Sequence, residues 1–228
     1  MASPLNPNDL VTLEELTISN MWEVAALIES KNMNKRLLTY FYIVVGFGLL
    51  VATPTWADFQ AGLAAYDRGE FETALKEWRP LAEQGNVSFQ FLLGTMYADG
   101  QGVPQDDQEA VKWFRRAAEQ GHASAQFNLG LSYNLGEGVT QDYQEGVKWY
   151  RLAAEQGYAN AQHNLGVIYS NGRGVPQDDV LAHMWVNLAA SKGIEVMVKT
   201  RDAIATKMTP QQIAEAQRLA REWKAKGE

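Results

Sequence analysis

The chain has no cysteine in its 228 residues. That absence removes disulfides, thiolate metal sites, a cysteine nucleophile and a cysteine-linked lipid anchor together. Histidine is scarce: His122, His163 and His183 are scattered, with no pair on one helical face, so the spacing for a metal motif is missing. No serine stands in a nucleophile-elbow context. Positive charge is in deficit, with 20 Lys and Arg against 27 Asp and Glu, a net charge of −7. This disfavours a non-specific nucleic-acid binder, which usually carries a basic face. The paired acids Asp106/Asp107 and Asp178/Asp179, with Asp142 alone between them, suit helix starts. They do not have the set cleft geometry of glycosidase carboxylates. The sequence therefore predicts no enzyme, no cofactor and no metal.

What the chain does have is a period. LLGTMYADGQGVPQDDQEAVKWFRRAAEQG from Leu92 aligns at an offset of 36 residues with NLGLSYNLGEGVTQDYQEGVKWYRLAAEQG from Asn128 and NLGVIYSNGRGVPQDDVLAHMWVNLAASKG from Asn164. Gly94, Gly130 and Gly166 are in register, as are Tyr97, Tyr133 and Tyr169, and Trp113, Trp149 and Trp185. A period of this length signals a stacked array in which each unit covers the apolar face of the next. At 46% apolar and 21% charged residues, the chain has enough apolar surface to bury.

Each unit reads as helix A, loop, helix B, turn. In the central unit helix A covers about residues 125–135 and helix B about 143–156. A glycine inside helix A costs up to about 1 kcal/mol relative to alanine. Its repetition at Gly94, Gly130 and Gly166 implies close approach of the partner helix. Gly102, Gly138 and Gly174 are expected to take positive φ and end helix A, and Gly121, Gly157 and Gly193 to close helix B. These glycines follow no strand, so they are not a phosphate loop. The tryptophans recur at one repeat position and read as core. A shorter first unit begins near Phe59, where Gly62 precedes Gly94 by only 32 residues. After Gly193 the motif dissolves. A helix over 194–208 stands where another helix A would go, and a last helix starts with Thr209 as N-cap and Pro210 at its first position. The predicted organisation is an N-terminal extension (1–32), a signal or anchor (33–57), four helix pairs (58–88, 89–124, 125–160, 161–193) and capping helices (194–228).

The segments Ala125-Gln126-Phe127-Asn128-Leu129-Gly130 and Ala161-Gln162-His163-Asn164-Leu165-Gly166, with the G-x-G-V-x-Q-D loop and the W-x-x-x-A-A-x-x-G ending, resemble the Sel-one-like repeat, a relative of the tetratricopeptide repeat. The resemblance covers about residues 58–193. It implies an all-α, right-handed α-α superhelix whose concave surface binds a protein or peptide. It also implies that helix A lines that surface. Positions where the repeats disagree there are Leu92, Thr95 and Ala98, then Asn128, Leu131 and Asn134, then Asn164, Val167 and Ser170. They fall three apart within each helix and form one stripe. Asparagine amides can pair with an extended backbone as donor and acceptor. The expected partner is a protein or peptide, with no nucleic acid, and the chain is expected to be a monomer. The alternative within the same resemblance is a cell-wall-active or β-lactam-binding or hydrolysing enzyme. Relatives of that description are rich in paired cysteines.

Ahead of the repeats, Lys35 and Arg36 precede the 15-residue apolar run Leu37–Val51, and Thr55-Trp56-Ala57 resembles a signal-peptidase site. The simplest reading makes Met33 the start of translation and Asp58 the mature first residue. The rival is an uncleaved anchor over 37–53, near the lower length limit for a membrane span. Both readings carry the repeats out of the cytoplasm, to the periplasm or beyond. Residues 1–32 contain the capping-box spacing Thr12–Glu15 before a short amphipathic stretch. N-terminal sequencing of the exported chain is expected to begin at Asp58; a chain that retains residues 37–53 would instead establish the anchor.

Overall fold

The computed structural model describes residues 56–227. The expectations for 1–32 and for the signal or anchor segment up to Thr55 lie outside the described residues. Within them the chain forms ten α-helices and no strand. They are α1 (Trp56–Asp67), α2 (Phe71–Glu83), α3 (Val87–Asp99), α4 (Asp107–Glu119), α5 (Ala123–Leu135), α6 (Tyr143–Glu155), α7 (Ala159–Asn171), α8 (Asp179–Ala190), α9 (Glu195–Ala205) and α10 (Pro210–Gly227). Each helix from α1 to α9 packs on its neighbours in sequence, and α10 folds back onto α8. This is the serial α-α solenoid that the period predicts.

Helix starts follow from side-chain chemistry. Asp106, Asp142 and Asp178 accept the backbone N–H groups of Glu109, Glu145 and Leu181 at 3.0, 3.0 and 2.9 Å. Each cap satisfies one of the unpaired donors at the start of a helix B. Helix A is capped at the preceding turn by Asn86 in α3 and by His122 in α5, whose Nδ1 accepts the Ala125 N–H at 3.2 Å. Thr209 and Gln212 form a reciprocal capping box at α10. Helix A of the central unit ends at Leu135 as expected, but the glycine that closes it is not the expected one. The left-handed C-cap residues are Gly100, Gly136 and Gly172, two positions earlier than expected. Gly102, Gly138 and Gly174 do have positive φ, but their role is different. A Cβ on Gly102 would lie 2.5 Å from the Phe71 carbonyl carbon, and Gly138 and Gly174 press likewise on Asp107 and Tyr143. Each thus lets a loop sit directly on the first turn of the preceding helix B.

The glycines inside helix A face the bulk of helix B. A Cβ on Gly94 would meet the Phe114 ring at 2.5 Å, and one on Gly130 the Tyr150 ring at 2.8 Å. Gly166 abuts Val186 and the Ala182 carbonyl, and Gly62 abuts Trp78. The partners 78, 114, 150 and 186 are themselves 36 residues apart and all are buried. The alanine pairs 117/118, 153/154 and 189/190 are buried as well, which brings the next helix close. Trp113 and Trp185 are core residues, while Trp149 is half-buried against the layer formed by α4 and α5.

Two polar ladders join successive units. Buried Gln90, Gln126 and Gln162 donate to the carbonyls of Ala82, Ala118 and Ala154 at 3.0, 3.1 and 3.1 Å. Gln120 and Gln156 then donate to the side-chain oxygens of Gln90 and Gln126, both at 2.7 Å. The same carbonyls accept the turn N–H groups of Gly85, Gly121 and Gly157, so each glutamine adds a second bond that satisfies its own buried amide and ties helix A to the preceding helix B. In the second ladder, Arg79, Arg115 and Arg151 donate to the hydroxyls of Tyr97, Tyr133 and Tyr169 at 2.6, 2.7 and 2.6 Å. At the C-terminal end, Ala216 and Ala220 of α10 enter the core and Trp223 meets Trp185 edge-on, with ring centroids 5.0 Å apart. The last repeat is therefore covered, as a solenoid end requires.

The glycine contact reverses the usual effect of a helical Gly→Ala change, which stabilises by up to about 1 kcal/mol. Gly166→Ala is expected to destabilise by about 1–3 kcal/mol, because the Ala182 carbonyl and Val186 must move. Urea unfolding followed by circular dichroism measures the sign, and a gain in stability would contradict the packing account.

His122 adds a pH term. Burial holds its imidazole below the ordinary value of 6.5, and Nδ1 must be unprotonated to cap α5. Below that ordinary value the unfolded chain binds more protons than the folded one, so stability falls as the pH drops through this range. Asn86 makes the equivalent cap at α3 without titrating. Between about pH 7.5 and about pH 5.5, His122→Asn is expected to lose less thermal stability than the native chain. Equal losses would contradict this role.

Candidate functional site

The nine stripe residues lie on α3, α5 and α7. Eight are half-buried and Ser170 is buried. The structure gathers them unequally. Thr95, Ala98, Asn128 and Leu131 line one cleft of about 160 Å³ between α3 and α5. Ala110 and Phe114 of α4 belong to the same cleft. Val167 and Ser170 line a second cleft, of about 180 Å³, between α7 and α9. Leu92 packs against the first core layer and Asn134 is half-buried, and neither lines either cleft. Asn164 sits beside the buried Tyr150 hydroxyl without a well-formed hydrogen bond. Burial pushes that hydroxyl's pKa up to about 12, so it stays protonated.

The side-chain amide of Asn128 makes no hydrogen bond among the described residues. It offers a donor and an acceptor to an incoming chain. Thr95 instead donates its hydroxyl back to the Phe91 carbonyl at 3.1 Å.

The second cleft shows what the sequence reading missed. Thr200 and Ala203 of α9, with Lys207 two residues beyond its end, help to complete it. They stand 36 residues after Asn164, Val167 and Asn171, so α9 continues the face of the helices A although its motif has dissolved. The offset itself was the available signal. His163 binds Thr200 across this junction, 3.1 Å from Nε2 to Oγ1.

The histidines have separate structural settings. His122 caps α5 and stacks on Phe91 at 4.7 Å, His163 bridges to α9, and His183 is buried in α8. Burial lowers the His183 pKa, and nearby Arg201 adds to that effect. A hollow of about 430 Å³ lies along α6 and the loop at Gly174 and Val175, with no helix A residue in its wall. Arg151 in that wall is already committed to Tyr169.

Comparison with known proteins follows this geometry. The Sel1 repeat profile matches residues 87–122, 123–158 and 159–194. Those frames begin two residues before the predicted units at 89, 125 and 161, at the observed starts of α3, α5 and α7. An exopolysaccharide production negative regulator of Rhizobium leguminosarum bv. viciae is 46% identical over 52 residues, 23% of this chain and 20% of that protein. A protein of the same description from Rhizobium meliloti (strain 1021) is 35% identical over 65 residues, 28% of this chain and 24% of that one. The chain thus spans a quarter or less of the length of these curated relatives. Among solved structures, a Sel1 repeat protein from Oxalobacter formigenes superposes with a TM-score of 0.58 at 37% identity, over 61% of this chain and 58% of that one. A protective antigen present in uropathogenic Escherichia coli strains, displaying an SLR fold, gives a TM-score of 0.51 at 32% identity, over 66% and 40%. Residues 87–194 of the chain are three Sel1 repeats running end to end.

Proposed function

We propose that this chain is a non-enzymatic adaptor of the cell envelope that holds a protein or peptide on the face formed by its helices A. The observation that carries this reading is the pair of clefts between successive helices A, which draw six of the nine stripe residues into their walls. The unpaired Asn128 amide adds a recognition group at the first cleft. Sel1 repeats generally mediate protein interactions, and solenoid faces commonly serve that end. The two curated relatives are named for negative regulation of exopolysaccharide production. This chain is proposed to act likewise in regulation, through contact with another protein. Placement outside the cytoplasm rests on Lys35/Arg36 and the apolar run that follows them.

Affinity capture from the envelope fraction, with the full chain and with an Asn128→Ala/Asn164→Ala variant, tests the proposed face. A specific partner is expected to be retained by the native chain and lost, by about tenfold or more, from the variant. Unchanged capture by a variant with a native circular dichroism spectrum would reject the stripe. Turnover of peptidoglycan fragments or β-lactams by the chain would overturn the non-catalytic reading.

A further inference from the structure

The cleft between α3 and α5 differs from the other junctions in one core position. Ser132 stands where the other units place Met96, Ile168 and Ile204, all buried. The α7–α9 cleft, with Ile204 at this position, is of similar size at about 180 Å³, so the exchange changes the chemistry of the wall, from apolar to hydroxyl, rather than its volume. Ser132 lines the α3–α5 cleft with 8% of its surface exposed, and its hydroxyl makes no hydrogen bond among the described residues. The hydroxyl oxygen opens onto the cleft, where it can donate to or accept from a bound group.

The rim is acidic. Asp99, Asp107 and Glu137 line the same cleft, and no Lys or Arg does. Among the described residues none of the three is in an ion pair; Asp107 accepts only the Gln105 amide, at 3.2 Å. Asp99 is the last residue of α3, and Glu137 directly follows the C-cap of α5. Neither helix has a basic residue in its last turn. Both carboxylates therefore sit at the negative end of a helix dipole, where a cation is favourable and an anion is not. The equivalent residues elsewhere change this charge. Arg173, in register with Glu137, lies over the ring of Tyr143, in register with Asp107, at 5.4 Å. At the α7–α9 cleft Asn171 takes the place of Asp99, and Lys207 beyond the second helix brings in a cation. Acidic, cation-free geometry is thus confined to the first of these junctions.

We propose that this cleft receives a lysine or arginine side chain of an extended segment of the protein partner. The aliphatic stem lies along Ala98, Phe114 and Leu131, and the charged head is held by the three carboxylates and the Ser132 oxygen. Among the described residues no group of His, Cys, Asp or Glu side chains is placed to hold a metal ion, so the carboxylates suit a larger organic cation. The space is too narrow for a helix, which is about 10 Å across with its side chains. This inference rests on the helix A face being the partner surface.

The test uses the full chain and a pentapeptide, acetyl-Ala-Ala-Lys-Ala-Ala-amide, carrying a photoreactive lysine. Photolabelling mapped by mass spectrometry is expected to fall within residues 95–114 and 128–137. Competition by the unlabelled peptide should exceed that of its norleucine counterpart by about tenfold, and labelling should weaken with salt. Ser132→Ile restores the side chain of the sister units and is expected to keep the fold while reducing labelling about tenfold. Asp99→Asn with Glu137→Gln should do the same. Labelling spread evenly along the chain, or unchanged in both variants, overturns the proposal. Stronger competition by spermidine than by the lysine peptide assigns the cleft to a free polyamine and also overturns it. Partner capture that fails with Asn128→Ala/Asn164→Ala but is indifferent to Ser132→Ile would leave the helix A reading standing and discard the basic side chain.

Discussion

A glycine set against a large buried side chain fixes the geometry of every repeat. Gly62 on Trp78, Gly94 on Phe114, Gly130 on Tyr150 and Gly166 on Val186 bring helix A and helix B together where a Cβ would hold them apart. The large residue varies among tryptophan, phenylalanine, tyrosine and valine, while the glycine does not. The small partner is therefore the constraint, and the large one fills whatever volume its own layer leaves. Close packing of this kind gains many weak dispersion contacts and tolerates little change in volume.

Stacking of one unit on the next depends on a different chemistry. Helix ends leave carbonyls without partners, and burying such ends between units is tolerable only if donors are supplied. The N–H groups of Gly85, Gly121 and Gly157 supply them together with Gln90, Gln126 and Gln162, and Gln120 and Gln156 carry the bonds across to helix B of the same unit. The Arg–Tyr bonds repeat on the same period. Exposed ion pairs such as Lys112–Glu109 and Lys148–Glu145 also repeat, but in solvent they add little. Rigid stacking fixes the spacing between helices A, and that spacing sets the shape of the clefts between them.

Most of this was legible in the sequence because periodicity reports packing directly. The register of Gly94, Gly130 and Gly166 announced the helix A–helix B contact, and Asp106, Asp142 and Asp178 announced the starts of helix B. The glycine that caps helix A was misplaced by two residues, since both Gly100 and Gly102 suit positive φ and only three-dimensional contact separates a cap from a loop lying on the unit before. The stripe was only partly legible. Three spaced positions on a helix share a face, yet Leu92 shares it with the core and Asn134 lines neither cleft. Thr200 and Lys207 were hidden because α9 keeps the register of helix A without its motif. Ser132 drew no notice because a lone serine in a helix carries no pattern until it is compared with Met96, Ile168 and Ile204.

The units therefore divide the work. Helices B and the loops on them maintain the stack, and helices A present what differs from unit to unit. Hydrogen exchange of the full chain, alone and with its captured partner, tests this division most directly. The account predicts added protection in α3, α5, α7 and α9, with little change in α4, α6 and α8. Protection concentrated in α4, α6 and α8, with α3, α5 and α7 unaltered, would contradict it.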